Sequence, residues 1–309
     1  MPSTALAVTV AGIDFQNPIL LAAGTAAYGR ELAGVIDLDA LGGLVTKAVS
    51  VEPRHGAPAP RVAEFDGGMI NAIGLANPGL DAVKSTHLPW LGQNLRLAKV
   101  LVNVVGNRAE DFATVVSTLD DSAGVAGFEL NVSCPNVRAG GMEFGADPQS
   151  LRDVVSLSRA ATKRPIFVKL SPTLQDIART AQIAADAGAD GISVVNTMPG
   201  LVIDIESRKP ALGFGTGGVS GAGLLPIGVL ATYRVAKAVR LPVIGVGGIS
   251  KVTDIVQYVL AGASLVAVGT AAMQKPKLAG KLVENLEAWC RKNGTRSLTE
   301  MRGTLRWES

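Results

Sequence analysis

Cysteine and histidine are scarce, with two of each in 309 residues. Cys134 and Cys290 lie far apart, and neither sits in a Cys-x-x-Cys pair. The chain therefore offers no zinc ribbon and no iron–sulfur ligand set, and no metal site is read from it. A disulfide framework is excluded on the same ground, which suits a reducing compartment. His55 and His87 are remote in sequence from Cys134, which argues against a Cys–His hydrolase, and both are read as structural or surface residues. No window holds 18 unbroken apolar residues, so no membrane-spanning helix is expected. The opening MPSTALAVTVAGIDF lacks the basic start and long apolar stretch of a signal peptide, and a cytoplasmic location is expected. Runs of five or six like charges are missing too, and the net charge of +3 is small and dispersed. Nucleic acid is not an expected partner of such a surface.

What is present is apolar residue in short bursts. The chain is 48% hydrophobic and 18% charged, a globular composition with ample core. Short Val/Ile/Leu/Ala/Gly runs buried on both faces are what a helix-covered parallel sheet requires. Strands are predicted at Pro18–Ala22, Gly43–Ala48, Lys99–Val104, Gly127–Val132, Pro165–Leu170, Gly191–Val195, Pro242–Val246 and Leu265–Val268. Helices are predicted between most of them, at Glu110–Leu119, Pro148–Thr162, Leu174–Ala187, Pro226–Val239, Val252–Ala261 and Leu278–Arg291. Ser171 to Asp176 has the composition of a helix start. Ala187-Gly188-Ala189 and Ala261-Gly262-Ala263 read as matching helix-to-strand joints of repeated units. This alternation predicts a single-domain (β/α)8 TIM barrel over residues 1–309. Pro53–Trp90 and Met198–Leu225 break the pattern and read as loops inserted at the C-terminal face. Gly213 to Gly218 matches a dinucleotide fingerprint formally, but no strand precedes it and it is set aside as chance.

In a barrel the active site gathers at the C-terminal strand ends. Those ends carry Thr46 and Lys47, Asn103, Asn131 to Asn136, Lys169, Asn196 and Thr197, Gly247 to Ser250, and Gly269 with Thr270. Glycines after the last two strands let backbone amides approach a phosphate, although tight turns alone would also use them. Lys47 and Lys169 could be surface lysines. A lysine directly after an apolar strand instead points into the mouth, where it needs an anion. Cys134, between Asn131 and Asn136, is either a small buried hydrophobe or a base. The asparagines suit a ring of alternating N–H and C=O groups.

Together Asn131-Val132-Ser133-Cys134-Pro135-Asn136, Val168-Lys169-Leu170-Ser171-Pro172, Asn196-Thr197 and Gly245-x-Gly247-Gly248-Ile249 resemble dihydroorotate dehydrogenase over nearly the whole chain. Cys rather than Ser at 134 is similar to the soluble class 1 enzymes. Asn71 to Leu80 and Leu88-Pro89-Trp90-Leu91 resemble the B subtype. The resemblance implies oxidation of (S)-dihydroorotate to orotate in pyrimidine biosynthesis, with FMN as hydride acceptor. It also implies a homodimer of this chain joined in a heterotetramer by a subunit carrying FAD and a [2Fe–2S] cluster, which passes electrons to NAD. By the same resemblance Cys134 takes the C5 proton and Lys169 stabilises the reduced flavin. Lys47, Asn71, Ala72, Ile73, Gly74, Leu75, Asn131, Asn136, Asn196 and Thr197 hold the substrate. Ala23, Thr46, Lys47, Asn103, Asn131, Lys169 and Val195 line the flavin, with Gly221, Gly247, Gly248, Gly269 and Thr270 at its phosphate end or nearby. Ala22-Ala23-Gly24 departs from the Ala-Ser-Gly of relatives, so a hydroxyl contact is lost while the backbone of Ala23 remains. Alternatives are the fumarate-dependent A type, an FMN barrel acting on dihydrouracil, and a barrel that only binds. A tRNA dihydrouridine synthase would need a basic extension that is not visible.

Overall fold

The computed structural model describes residues 5–133, 135–136 and 142–307. Eight parallel strands close into a barrel. They are β1 (Ile19–Leu21), β2 (Gly43–Val45), β3 (Lys99–Val104), β4 (Val125–Asn131), β5 (Ile166–Leu170), β6 (Gly191–Val194), β7 (Val243–Val246) and β8 (Leu265–Val268). Each strand pairs with its neighbours in sequence, and Val266, Ala267 and Val268 of β8 close on Ile19, Leu20 and Leu21 of β1. Outside lie α1 (Ala109–Leu119), α2 (Pro148–Ala160), α3 (Ile177–Asp186), α4 (Leu225–Ala238), α5 (Val252–Ala261) and α6 (Leu278–Lys292). This is the TIM barrel that the alternation predicts.

The period of two along each strand divides the apolar residues into two cores. Ile19, Leu21, Val100, Val102, Phe128, Leu130, Val168 and Ile192 face the helices in the larger core. Leu20, Val45, Leu101, Phe167, Ile244, Leu265 and Ala267 fill the barrel, and Val10, Ile13 and Phe15 of the N-terminal hairpin plug its floor. Phe167 fits because its registered neighbour is Gly191, where a Cβ would stand 2.4 Å from the ring. Truncating this fully buried ring to alanine would cost about 3–5 kcal/mol.

Acidic side chains start several helices. Asp147 accepts from Ser150 N at 2.7 Å at the head of α2, and Asp254 accepts from Lys251 N at 3.1 Å at the head of α5. Helix α3 begins later than predicted. Its cap is Asp176, accepting from Arg179 N at 3.0 Å, while the Ser171 and Thr173 hydroxyls bond each other at 2.6 Å in a turn. Strand β2 ends at Val45 rather than Ala48, because Lys47 N turns away to the Ala27 carbonyl at 2.8 Å.

The two inserted segments are not separate loops. Met198–Gly200, Gly217–Gly221, Gly68–Asn71 and Val62–Phe65 form one antiparallel sheet in that order. Asn71 pairs with Gly218 and Gly68 with Gly221, so the insertions lock together across the barrel mouth. The Gly213 to Gly218 stretch runs into this sheet and opens no helix, as expected of a chance match.

Candidate active site

Between the strand ends and this covering sheet lies a cavity of about 440 Å³. A neighbouring cavity of about 310 Å³ shares Gly221, Gly248, Gly269 and Thr270 with it. Strand parity explains why the polar residues converge here. Asn103, Glu129, Asn131 and Lys169 occupy inward positions on β3, β4 and β5, with Asn131 registered on Lys169 and Asn103 on Glu129. Below this layer the inward positions are apolar, and at the cavity these polar residues stand beside apolar Ala22 and Val246.

The cavity wall brings together most of the residues predicted from the sequence. Ala23, Lys47, Asn71 to Leu75, Asn103, Asn131, Lys169, Val195, Asn196 and Thr197 all line it, as do Gly221, Gly247, Gly248, Gly269 and Thr270. Thr46 does not. It is fully buried, its hydroxyl donating to the Lys47 carbonyl at 2.9 Å and accepting from Asn103 N at 3.1 Å, so it supports the wall from behind. Cys134 and the Asn136 side chain lie outside the described residues. Pro135–Asn136 pairs with Met142–Glu143 beside the mouth.

The amides are oriented by one another. Asn196 donates to Asn131 Oδ1 at 3.4 Å and accepts from Thr197 N at 2.8 Å, and Asn71 donates to the Gly218 carbonyl at 3.3 Å. Asn103 Nδ2 donates to Glu129 Oε1 at 2.8 Å, and the Lys169 ammonium stands 3.9 Å from the same oxygen. Glu129 was not anticipated from the sequence. Its signal was an acid at an inward position within a strand, two residues before Asn131. Ser220, also unanticipated, accepts from the Thr270 hydroxyl at 2.8 Å and donates to the Met69 carbonyl at 3.3 Å.

The glycines divide by what occupies the space beside them. Gly221, at φ +114°, lies where a Cβ would stand 2.6 Å from Gly68, and Gly248, at φ +70°, where one would stand 2.5 Å from Leu225 N. The protein's own backbone requires both. At Gly269 the nearest heavy atom to a Cβ would be 3.7 Å away, so its open side faces the cavities. The second cavity has no charged side chain on its wall. An anion there would rest on backbone amides, which fit a phosphate, while the Ser250 and Thr270 hydroxyls donate to Asp254 at 3.1 Å and to Ser220 at 2.8 Å.

Two further groups flank the mouth. Burial pushes the Glu143 carboxyl above its usual range, partly offset by a hydrogen bond from the Ser171 hydroxyl at 3.5 Å. Tyr28 stacks on His87 with ring centroids 4.3 Å apart, and burial, aided by Glu31, raises its phenol. Burial, with Arg30 adding to it against Glu31, lowers His87. Cys290 is on α6 in the outer core, away from the cavity, and burial pushes its thiol up.

Comparison with known proteins identifies the family. The family profile for dihydroorotate dehydrogenase matches residues 5–289. The catalytic subunit of dihydroorotate dehydrogenase B (NAD(+)) from Pelobacter propionicus is 43% identical over 300 residues, covering 97% of this chain and 98% of that one. The protein of the same name from Geobacter sulfurreducens is 43% identical with the same coverage. A Solibacter usitatus protein, provisionally named dihydroorotate dehydrogenase A (fumarate), is 46% identical over 302 residues, 98% of this chain and 99% of that one. The chain belongs to the dihydroorotate dehydrogenase family.

Proposed function

We propose that the chain oxidises (S)-dihydroorotate to orotate in pyrimidine biosynthesis, as the FMN-binding catalytic subunit of a B-type enzyme. The observation that carries this is the convergence of Lys47, Asn71, Asn131, Asn196, Thr197 and Lys169 on one cavity in a chain that the family profile matches over residues 5–289. FMN supplies the hydride acceptor when bound. The residues present fit it: the main cavity suits the ring system, Lys169 and Asn103 lie on its floor, and the amide-lined second cavity suits the phosphate.

Lys47, half-buried on the cavity wall, pairs with the substrate carboxylate as its counter-charge. Asn71, Asn131, Asn196 and Thr197 hold the ring, each amide offering a donor and an acceptor to the alternating N–H and C=O edge. The backbone of Ala72 to Leu75 closes the wall over it. Cys134 takes the C5 proton, and Asn136 is a further substrate contact; both roles rest on the family motif. Lys169 places a fixed positive charge where negative charge develops on reduction, a preorganised electrostatic contribution. Ala23, Lys47, Asn103, Asn131 and Val195 flank the cofactor, Thr46 acts from behind, and Gly221, Gly247, Gly248, Gly269 and Thr270 surround its phosphate end.

Electrons leave through a second subunit carrying FAD and a [2Fe–2S] cluster to NAD, in a cytoplasmic heterotetramer built on a homodimer of this one-domain chain. The names of the Pelobacter and Geobacter relatives support that acceptor, and the Solibacter relative supports fumarate as the second reading. Among the described residues no helix is long and apolar enough to cross a membrane. Purified protein loaded with FMN should be yellow and should bleach anaerobically with dihydroorotate. Protein that cannot be reconstituted with FMN sinks the assignment. Full turnover of the isolated chain with fumarate, indifferent to a co-purified iron–sulfur subunit, overturns the B type alone.

A further inference from the structure

Glu129 is a carboxylate inside the barrel for which the reaction as written has no use. Its side chain is 2% exposed, and that of Lys169 is 9% exposed. Every other ion pair among the described residues has at least one side chain exposed by a quarter or more. A buried charge is costly unless it is paired and hydrogen-bonded, and packing alone would favour an apolar residue on that inward strand position. Glu129 is not on the cavity wall, but both residues it touches are.

A carboxylate only accepts hydrogen bonds. The Asn103 amide must therefore direct Nδ2 at Glu129, which turns its oxygen the other way. At 3.9 Å the Lys169 ammonium feels the carboxylate without being saturated by it, and it keeps donors for the cavity. We infer that Glu129 is a positioning residue. It anchors Lys169 and fixes the Asn103 amide from beneath the cavity, and its negative charge moderates how strongly Lys169 favours reduced over oxidised flavin. This inference rests on the FMN reading above.

The test is the midpoint potential of bound FMN, measured anaerobically by spectroelectrochemistry in wild type, Glu129→Gln, Glu129→Asp and Lys169→Gln. Glu129→Gln should raise the potential, because removing the negative charge leaves Lys169 unopposed. Glu129→Asp, which retracts the charge without deleting it, should raise it less, and Lys169→Gln should lower it. A purely structural Glu129 would lower the melting temperature and leave the potential at the wild-type value. An unchanged or lowered potential in Glu129→Gln, or in Glu129→Asp should the glutamine variant not take up flavin, overturns the inference and leaves the FMN reading standing. Wild-type protein that does not bind FMN removes both.

Discussion

The Tyr28 hydroxyl donates to the Ala48 carbonyl at 2.9 Å, one residue beyond Lys47. In the other direction, Lys47 N donates to the Ala27 carbonyl at 2.8 Å, one residue before Tyr28. The loops after β1 and β2 are thus bonded crosswise, and the lysine sits in the cross. Replacing Tyr28 by Phe keeps the ring stacked on His87 but leaves a buried carbonyl without its donor, a loss of about 1–3 kcal/mol. The expected outcome is a KM for dihydroorotate raised roughly five-fold or more, with a smaller change in kcat. Steady-state kinetics checks it, and an unchanged KM means the crossed bonds do not position Lys47.

Lys47 itself should discriminate between substrates. Removing one partner of a desolvated charge pair costs about 2–5 kcal/mol, so Lys47→Ala should weaken orotate binding by at least about thirty-fold. The perturbation of the flavin spectrum on titration with orotate measures this. A ligand without the carboxylate, such as dihydrouracil, should be insensitive to the change. Orotate affinity within two-fold of wild type would refute the carboxylate pairing.

The barrel was legible in the sequence because β1 to β8 are buried on both faces, which leaves short apolar runs that little else in a chain produces. The site was legible where it follows strand ends, as at Lys47, Lys169 and Asn196. It was not legible where tertiary pairing decides. Asn71, named only through the family resemblance, reaches the cavity because Gly68–Asn71 pairs with Gly217–Gly221, a contact across 147 residues that no local pattern encodes. Glu129 was missed because attention to strand ends passes over inward positions one turn of the pleat lower. Gly248 reads as an opening for a phosphate, yet the protein's own backbone fills the space beside it.

That last distinction is measurable. Gly248→Ala would force φ +70° on a residue with a Cβ and set that carbon 2.5 Å from Leu225 N at the head of α4. Strain of this kind costs about 1–3 kcal/mol before the clash is counted. At roughly 2–4 °C per kcal/mol for a large domain, Tm should fall by several degrees, even without flavin. Gly280→Ala, in the first turn of α6 with nothing within 4 Å of the new carbon, should do the reverse. It relieves a helical glycine worth about 0.5–1 kcal/mol. A Gly248→Ala apoprotein as stable as wild type would return this glycine to the ligand.

Glu143 gives the pH dependence. Its folded carboxyl titrates above the ordinary 4.5 because burial disfavours the charged form more than the Ser171 hydroxyl supports it. In the window from 4.5 up to the folded value the native state holds the proton more tightly than the unfolded chain. Stability attributable to this group is therefore lost as pH rises through that window, and a constant penalty remains above it. Glu143→Gln removes the titration and keeps an acceptor for Ser171. Its melting temperature relative to wild type should be higher at pH 7 than at pH 4. Side-by-side thermal melts of the two proteins across that range check the sign. A gain for the variant at pH 4 that disappears at pH 7 would mean that hydrogen bonding to the carboxylate, and not its burial, governs this group.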